Sequence, residues 1–267
     1  MTELTIRKND AGQRADRFLS KTYPNLKSSL VCKLMRKKRI KLNGAKTEPN
    51  VMLKEGDVFR FYLSEELLAK EPIKCEGDYR EVSSEINVVY EDQNILLVDK
   101  PVGLVVHEDN DNTVDTLINR VLSYLYQKGE YYSEHENSFT PALVNRIDRN
   151  TSGIVIAAKN AESLRILNQK VRDRELRKLY LCAVRGVLKP KSATLTAYLK
   201  KLPDENRVLI SDTPKPDHLT IKTKYRVLES KDELSLVEVD LLTGRTHQIR
   251  VHMQYAKHPI VGDPMYV

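Results

Sequence analysis

The chain has no tryptophan and only three cysteines. Cys32, Cys75 and Cys182 are far apart and odd in number, so they make neither a disulfide framework nor a zinc site. Reduced thiols, and with them a cytoplasmic location, are expected. Without tryptophan, stacking on a nucleic-acid base would fall to Tyr, Phe, His or Arg. No apolar run approaches the ~18 residues of a membrane span, so no membrane partner is expected. The N-terminus, Met-Thr-Glu-Leu-Thr-Ile-Arg-Lys, lacks the basic-then-apolar order of a signal peptide. His247 and His252 lie five apart without an acidic cluster, whereas metal ligands on one helix face prefer a spacing of four. No metal is expected. Thr151-Ser152-Gly153 lacks the Gly-x-Ser-x-Gly pattern of a hydrolase nucleophile. There is no repeat and no low-complexity segment.

What is present is a globular composition, 40% hydrophobic and 30% charged, in a chain of 267 residues. That length allows one large domain or two unequal ones. The formal net charge of +7 favours a polyanionic partner, nucleic acid before membrane.

The N-terminal part reads as a short strand (Leu4 to Arg7), a turn (Asn9-Asp10-Ala11-Gly12), and a helix from Arg14 with Ala15, Phe18, Leu19 and Tyr23 near helical spacing. Ser28-Ser29 is a fair N-cap for a second helix with Leu30, Val31 and Leu34 inward. Seven basic residues then follow without an acid among them: Lys33, Arg36, Lys37, Lys38, Arg39, Lys41 and Lys46. A charge run is usually a solvated helix face. Here one sign of charge ends at the Asn43-Gly44 hairpin turn, which favours a phosphate-binding ridge built on Arg36, Lys37, Lys38 and Arg39. Ile40 to Leu42 and Val58 to Leu63 read as strands flanking the Glu55-Gly56-Asp57 turn. The order of these pieces over residues 13–63 resembles the S-four-type RNA-binding domain, which binds structured RNA by shape and charge and carries no catalysis itself. Residues 64–85, polar and with Pro72, Gly77 and Ser83-Ser84, read as a linker.

From Ile86 the texture changes. Val88 to Tyr90, Ile95 to Val98, Arg177 to Val184, Leu195 to Leu199, Thr220 to Val227 and Leu234 to Leu241 read as strands. Asp111-Asn112-Thr113 can cap a helix with an apolar face of Val114, Leu117, Ile118, Val121, Leu122 and Leu125. Leu164, Leu167 and Val171 are spaced as a buried helix face, and Arg245 to Tyr255 reads as a last helix. Strands outnumber helices and their links are short. An α+β fold with a mixed, largely antiparallel sheet and flanking helices is expected over 86–267.

The stretch that organises this half is Val144 to Ile154, where Asp148 stands between Arg146 and Arg149 with an apolar run behind it. A lone loop aspartate more often caps a turn or pairs with a neighbouring arginine. Three other segments shift the balance: Lys100-Pro101-Val102-Gly103, Lys178-Leu179-Tyr180, and Gly244 to His252 followed by His258 to Asp263. Together with Asn145-Arg146-Ile147-Asp148-Arg149-Asn150-Thr151-Ser152-Gly153 they resemble, in order, the motifs of the RluA-type pseudouridine synthases of the ribosomal large-subunit family.

That resemblance implies an isomerase that converts uridine in RNA to pseudouridine, with Asp148 as the catalytic carboxylate. It attacks C1′ or removes a C2′ proton; uracil leaves, turns and rejoins through C5. An oxocarbenium-like sugar is stabilised by a nearby negative charge. No water is activated and no redox change occurs, so neither a second carboxylate nor a cofactor is implied. Arg250 is the implied guanidinium that keeps Asp148 ionised, with Arg245 the alternative. Tyr180 would stack on the uracil or move a proton at C5, and Ile260 would wall the base pocket. Arg146 and Arg149 would fill the space left by the flipped base or clamp a phosphate. For each of these residues the plain alternative is core packing or a local ion pair. Structured RNA is the implied partner, ribosomal before transfer RNA, and the protein is expected to be a monomer. Two features depart from the family pattern. Asn145 stands where histidine is usual, and the chain stops soon after its Gly-Asp motif, as in a short member or one whose end is missing. They leave a second reading, a non-catalytic RNA-binding or ribosome-assembly factor with the same fold.

Reversing Lys37 and Arg39 to glutamate is expected to weaken RNA binding and to flatten the slope of log affinity against log salt by about 1 to 2. Filter binding across a salt series checks this; an unchanged affinity would remove the ridge from the account.

Overall fold

Apolar positions near the N-terminus close around Phe18, Phe59 and Phe61, all fully buried. The computed structural model describes residues 1–70, 78–108, 113–202 and 207–267. It divides into two compact units, residues 1–169 and 170–267.

The first unit opens with β1 (Thr2–Thr5), two residues earlier than the expected Leu4 to Arg7, followed by α1 (Ala15–Thr22) and α2 (Ser28–Arg36). Two strands, β2 (Ile40–Leu42) and β3 (Val58–Phe61), complete an antiparallel sheet in the order β1-β3-β2. Phe18 of α1 stacks on Phe59 of β3 with ring centroids 6.3 Å apart. Ser28 begins α2 rather than capping it; Lys27 is the N-cap and makes no side-chain cap bond. Val31 and Met35 carry the buried face of α2, with Leu30 and Leu34 half-buried beside them. The expected Asn43-Gly44 turn is present, with both residues at positive φ, 50° and 77°. Asn43 Oδ1 accepts from Val58 N at 2.9 Å and its Nδ2 donates to Asp57 Oδ1 at 2.9 Å, which ties this turn to the Gly56-Asp57 turn.

A second core in the same unit lies under a four-stranded antiparallel sheet. Its strands are β4 (Asn87–Glu91), β5 (Ile95–Lys100), β6 (Ala142–Leu143) and β7 (Gly153–Ala158), in the order β4-β5-β7-β6. The apolar stripe of α3 (Leu117–Gln127) packs here through Leu117, Ile118, Val121, Leu122 and Leu125. Val114 precedes the helix and is exposed. The cap is Thr116, whose Oγ1 accepts from Asn119 N at 3.3 Å; Asp111 and Asn112 lie outside the described residues. Within 64–85, Leu67 and Leu68 pack on the first core and Tyr79 is buried in the second, while Pro72, Cys75 and Gly77 lie outside the described residues. The division between the units falls within α4 (Ala161–Arg172), whose Leu164, Leu167 and Val171 are half-buried rather than buried.

The second unit is a five-stranded antiparallel sheet of β8 (Leu179–Arg185), β9 (Ser192–Leu202), β10 (Arg207–Ser211), β11 (Leu219–Lys231) and β12 (Leu234–Leu241), in the order β10-β9-β11-β12-β8. Strand β10 was not foreseen: its apolar run, Val208-Leu209-Ile210, is too short to signal alone and is made a strand by its ladder with β9. The last helix, α5 (Gln248–Tyr255), starts three residues later than expected because His247 sits in the left-handed region at φ 55°. Val184, Tyr225, Val237, Val239 and Met253 form the main core of this unit. Every pairing between these strands is antiparallel, and the chain is α+β as its pattern suggested.

One ion network staples the second core. Glu91, at the end of β4, accepts from Lys128 Nζ at 2.7 Å, Lys159 Nζ at 2.8 Å and Tyr124 OH at 2.8 Å. Lys159 also pairs with Glu130. Burial alone would raise the Glu91 carboxyl, but the hydrogen bonds from Lys128, Lys159 and Tyr124 outweigh it and hold it at about 2. A carboxyl held below its ordinary value stabilises the fold above that value and stops doing so as pH falls toward about 2. Glu91→Gln is therefore expected to remove on the order of 1–3 kcal/mol at pH 7 and almost nothing at the acid end. Urea unfolding at the two pH values checks this; an equal loss at both would contradict the ionic origin.

Candidate active site

The register of β5 against β7 places Lys100 opposite Gly153. The turn leaving β5 and the loop entering β7 therefore start side by side. That loop carries Asp148. Val144 N donates to Ile156 O at 2.8 Å, so the β6–β7 pairing runs one residue into the loop. Asn145 continues it with its side chain: Nδ2 donates to Ile154 O at 3.1 Å and Oδ1 accepts from Ile156 N at 2.8 Å. The amide closes the neck of the loop by mimicking a strand peptide. Donor and acceptor are both needed there, and a neutral imidazole also offers one of each. Beyond the neck the chain turns, with Thr151 N donating to Asp148 O at 3.0 Å.

The floor under the turn is Lys100, fully buried. Its Nζ donates to Leu104 O at 2.7 Å, Pro101 O at 2.8 Å and Arg149 O at 3.0 Å. All three ammonium protons thus meet a carbonyl. Arg149 O receives a second bond, from Gly103 N at 2.9 Å. Gly103 has φ 90°, a conformation strained for any residue with a Cβ, which explains the glycine of the Lys-Pro-x-Gly segment. Burial lowers the Lys100 pKa, and the charge of Asp148 acts in the opposite direction. A buried cation thus lies within electrostatic reach of the half-buried Asp148 carboxylate. Arg146 and Arg149 stand exposed on either side.

Tyr180, Arg245, Arg250 and Ile260 belong to the second unit. Tyr180 is the second residue of β8, opposite Val239, and is half-buried against the main core of that unit. Lys178 lies just before it and brings its Nζ beside Gly244, 3.3 Å from where a Cβ would stand. Arg250 projects from α5 and makes a two-pronged pair with Asp263: Nε to Oδ2 at 2.6 Å and Nη2 to Oδ1 at 2.9 Å. Its guanidinium also lies 5.1 Å over the Tyr266 ring. The Asp263 side chain is almost wholly shielded, at 3% exposure. Burial pushes its carboxyl up, but Arg250 and the backbone N–H groups of Met265 and Tyr266 prevail and hold it below the usual range. Sequence reasoning names Arg250 and misses Asp263 as its partner, although Asp263 stands in the Gly-Asp motif. Ile260 is half-buried on the core of this unit and bridges Val184 of β8. Arg245 has an exposed side chain, and its backbone N–H donates to Gln248 Oε1 at 3.2 Å.

A buried relay sets α5 and, through it, Arg250. Gln248 Nε2 donates to Thr223 Oγ1 at 2.9 Å, and Thr223 Oγ1 meets His252 Nδ1 at 2.7 Å. Burial lowers His252 to about 4, so the ring stays neutral and able to accept. Among the described residues no group of histidine, cysteine and acidic side chains is placed to hold a metal ion, and no helix is long and apolar enough to cross a membrane. Arg36, Lys37, Lys38 and Arg39 are all exposed at the end of α2, and no carboxylate pairs with Lys37, Lys38 or Arg39 among the described residues.

Comparison with known proteins agrees with this arrangement of motifs. Residues 94–255 match the RNA pseudouridylate synthase family. An uncharacterized RNA pseudouridine synthase of Aquifex aeolicus is 32% identical over 95% of this chain and 77% of its own length. Ribosomal large subunit pseudouridine synthase C of Vibrio cholerae is 32% identical over 98% of this chain and 79% of its own. Among solved structures, human RNA Pseudouridylate Synthase Domain Containing 1 superposes with a TM-score of 0.54 at 26% identity, covering 69% of this chain and 70% of that one.

Replacing Lys100 with methionine is expected to remove about 2–4 kcal/mol of stability and to free the Asp148 loop. The Gly103 and Thr151 amides should then exchange with deuterium markedly faster. Unaltered exchange at both would show that the ammonium is not what holds the loop.

Proposed function

This chain belongs to the RNA pseudouridylate synthase family, an isomerase acting on RNA, and we propose that Asp148 is its working carboxylate. The observation that carries this reading is the Lys100 floor, which fixes a half-buried aspartate at the tip of a loop and keeps a cation near it. A fixed negative charge beside C1′ is what an oxocarbenium-like sugar requires. Asp148 either forms a bond to C1′ as the N1–C1′ bond breaks or removes the C2′ proton. The freed uracil turns within the site, and C5 bonds to C1′ as the Asp148–C1′ bond breaks or, on the second route, as C2′ takes its proton back; the C5 proton is then lost and N1 gains one. Atoms and electrons balance within the nucleotide and solvent protons, so no oxidant or reductant enters.

Arg250 is the guanidinium assigned to Asp148, with Arg245 the alternative. Its two-pronged pair with Asp263 supports the assignment by fixing the rotamer before substrate arrives. Tyr180 stacks on the uracil or moves the proton at C5, and Ile260 walls the base. Arg146 and Arg149 fill the vacated stack or clamp a phosphate. Residues 13–63 form an S-four-type RNA-binding module, 64–85 connect it, and 86–267 form the catalytic domain. The run Arg36 to Arg39 is exposed, with no carboxylate paired to Lys37, Lys38 or Arg39 among the described residues, and this supports the module's role. Ribosomal RNA is the proposed substrate, ahead of transfer RNA, handled in the cytoplasm by a monomer. Its support is the name of the large-subunit relative and the basic charge of this chain.

Unmodified cellular RNA labelled with tritium at uracil C5 tests the assignment. The wild-type protein is expected to release tritium, and Asp148→Asn to lose at least about 10³-fold in rate while binding the same RNA as before. Release at the wild-type rate by Asp148→Asn would eliminate Asp148.

A further inference from the structure

The Asn9-Asp10-Ala11-Gly12 turn takes no part in the chemistry above, yet Asp10 is wholly buried. Its Oδ2 accepts from Asn137 Nδ2 at 2.7 Å and from Arg7 N at 3.1 Å, and its Oδ1 accepts from Ser138 Oγ at 3.1 Å. Only the Arg7 bond is local. The other two come from a segment far along the chain, just before β6. The neighbours of Asp10 reach the same region. Asn9 Nδ2 donates to Glu136 Oε1 at 2.8 Å, and Asn9 Oδ1 accepts from Ala161 N, the first residue of α4, at 3.2 Å. Arg165 Nη1 of α4 donates to Ala11 O at 2.8 Å. Its guanidinium fills the space where a Cβ at position 12 would stand, and Gly12 lies at φ 71°. Lys70 Nζ closes the other side on Asn137 Oδ1 at 3.0 Å.

The placement of these contacts is specific. Residues 136–138 precede β6, and α4 follows β7, so the turn grips both flanks of the hairpin whose tip carries Asp148. Glu136 Oε2 is buried and has no hydrogen-bond partner among the described residues, and burial pushes its carboxyl above the ordinary range. A buried carboxylate whose long-range donors all come from one segment ties that segment firmly, because removing them leaves only the Arg7 bond of the three.

We propose that Asp10, Asn137 and Ser138 are positioning residues that lock the N-terminal module in one orientation to the β6–β7 hairpin. The module then grips the helical part of a folded RNA and presents a uridine at a set distance to Asp148. The substrates selected are RNAs whose target loop and module-binding helix stand at that spacing. A module trailing on residues 64–85 would bind the same helices but impose no spacing. The lock converts loose tethering into preorganised two-point binding. This rests on the RNA-binding reading of residues 13–63.

The test uses tritium release from unmodified cellular RNA, intact and cut to short fragments, with the full chain. Asn137→Ala with Ser138→Ala removes the donors from the hairpin side and leaves the module's own core and the Arg7 bond untouched. KM for intact RNA is expected to rise about fivefold to tenfold, with kcat at saturation and turnover of fragments unchanged. Asp10→Asn, which turns one accepting oxygen into a donor facing donors, should give the same split from the module side. The Lys37→Glu, Arg39→Glu protein should raise KM likewise, and adding the lock variant to it should raise KM little further. If the basic-run variant raises KM and neither lock variant does, the lock is overturned and the module reading stands. If the basic-run variant leaves KM unchanged, the module reading fails and the lock goes with it. If the lock variants lower kcat on fragments and intact RNA equally, the contact serves only the hairpin's own stability and the proposal is overturned.

Discussion

A lysine ammonium held out of water by three carbonyl oxygens is the constraint on which the first unit's site depends. A buried cation is tolerated only when its protons are all met. At Lys100 they are met by two residues of its own turn and by Arg149 of the loop opposite. The electrostatic need of one side chain thereby fixes the distance between two strand connections. The Asp148 loop inherits that distance. Asn145 closes the neck, and Gly103 adds a backbone bond to the Arg149 carbonyl. The second unit solves the matching problem with opposite signs. There a buried carboxylate, Asp263, orients a guanidinium on α5, while the Gln248–Thr223–His252 relay sets the helix itself.

Much of this could be read from residue order. Helical spacing gave the buried faces of α1 and α3, alternation gave most strands, and positive-φ turn chemistry gave Asn43-Gly44. The motif segments singled out Asp148, Tyr180 and Arg250 before any geometry was available. What was hidden depends on partners distant in sequence. Thr116 becomes a cap only because Val105 and Val106 accept the first N–H groups of α3, which fixes where the helix starts. Strand β10 exists through its neighbour. The delayed start of α5 follows from His247 adopting a left-handed conformation that sequence gives no reason to expect. Lys100 stands in one of the motif segments, but its work is done by carbonyls, and every residue has one. Asp263 is legible in sequence only as the acid of the Gly-Asp motif. Its pairing with Arg250 requires the chain to fold back from the end of α5.

The N-terminal turn adds a link between recognition and chemistry. Charge attracts RNA without selecting it, because phosphates are alike in every sequence. Selection in such a protein has to come from shape, and shape can be measured only by surfaces held in fixed relation. Asp10 supplies that fixity from one side, and the flanks of the Asp148 hairpin receive it from the other. The same hairpin is thus steadied from below by Lys100 and along its flanks by the module. On the reading proposed above, the basic run at the end of α2, the Asp10 junction and the loop floor form one chain of physical dependence from RNA contact to carboxylate.

The most direct measurement is a map of pseudouridines across cellular RNA in cells lacking this protein, complemented by the wild-type chain or by Asp148→Asn. The account predicts that one or more pseudouridines vanish in the deletion, return with the wild type, and stay absent with Asp148→Asn although that protein is present and bound to RNA. Return of the same pseudouridines with Asp148→Asn would contradict it.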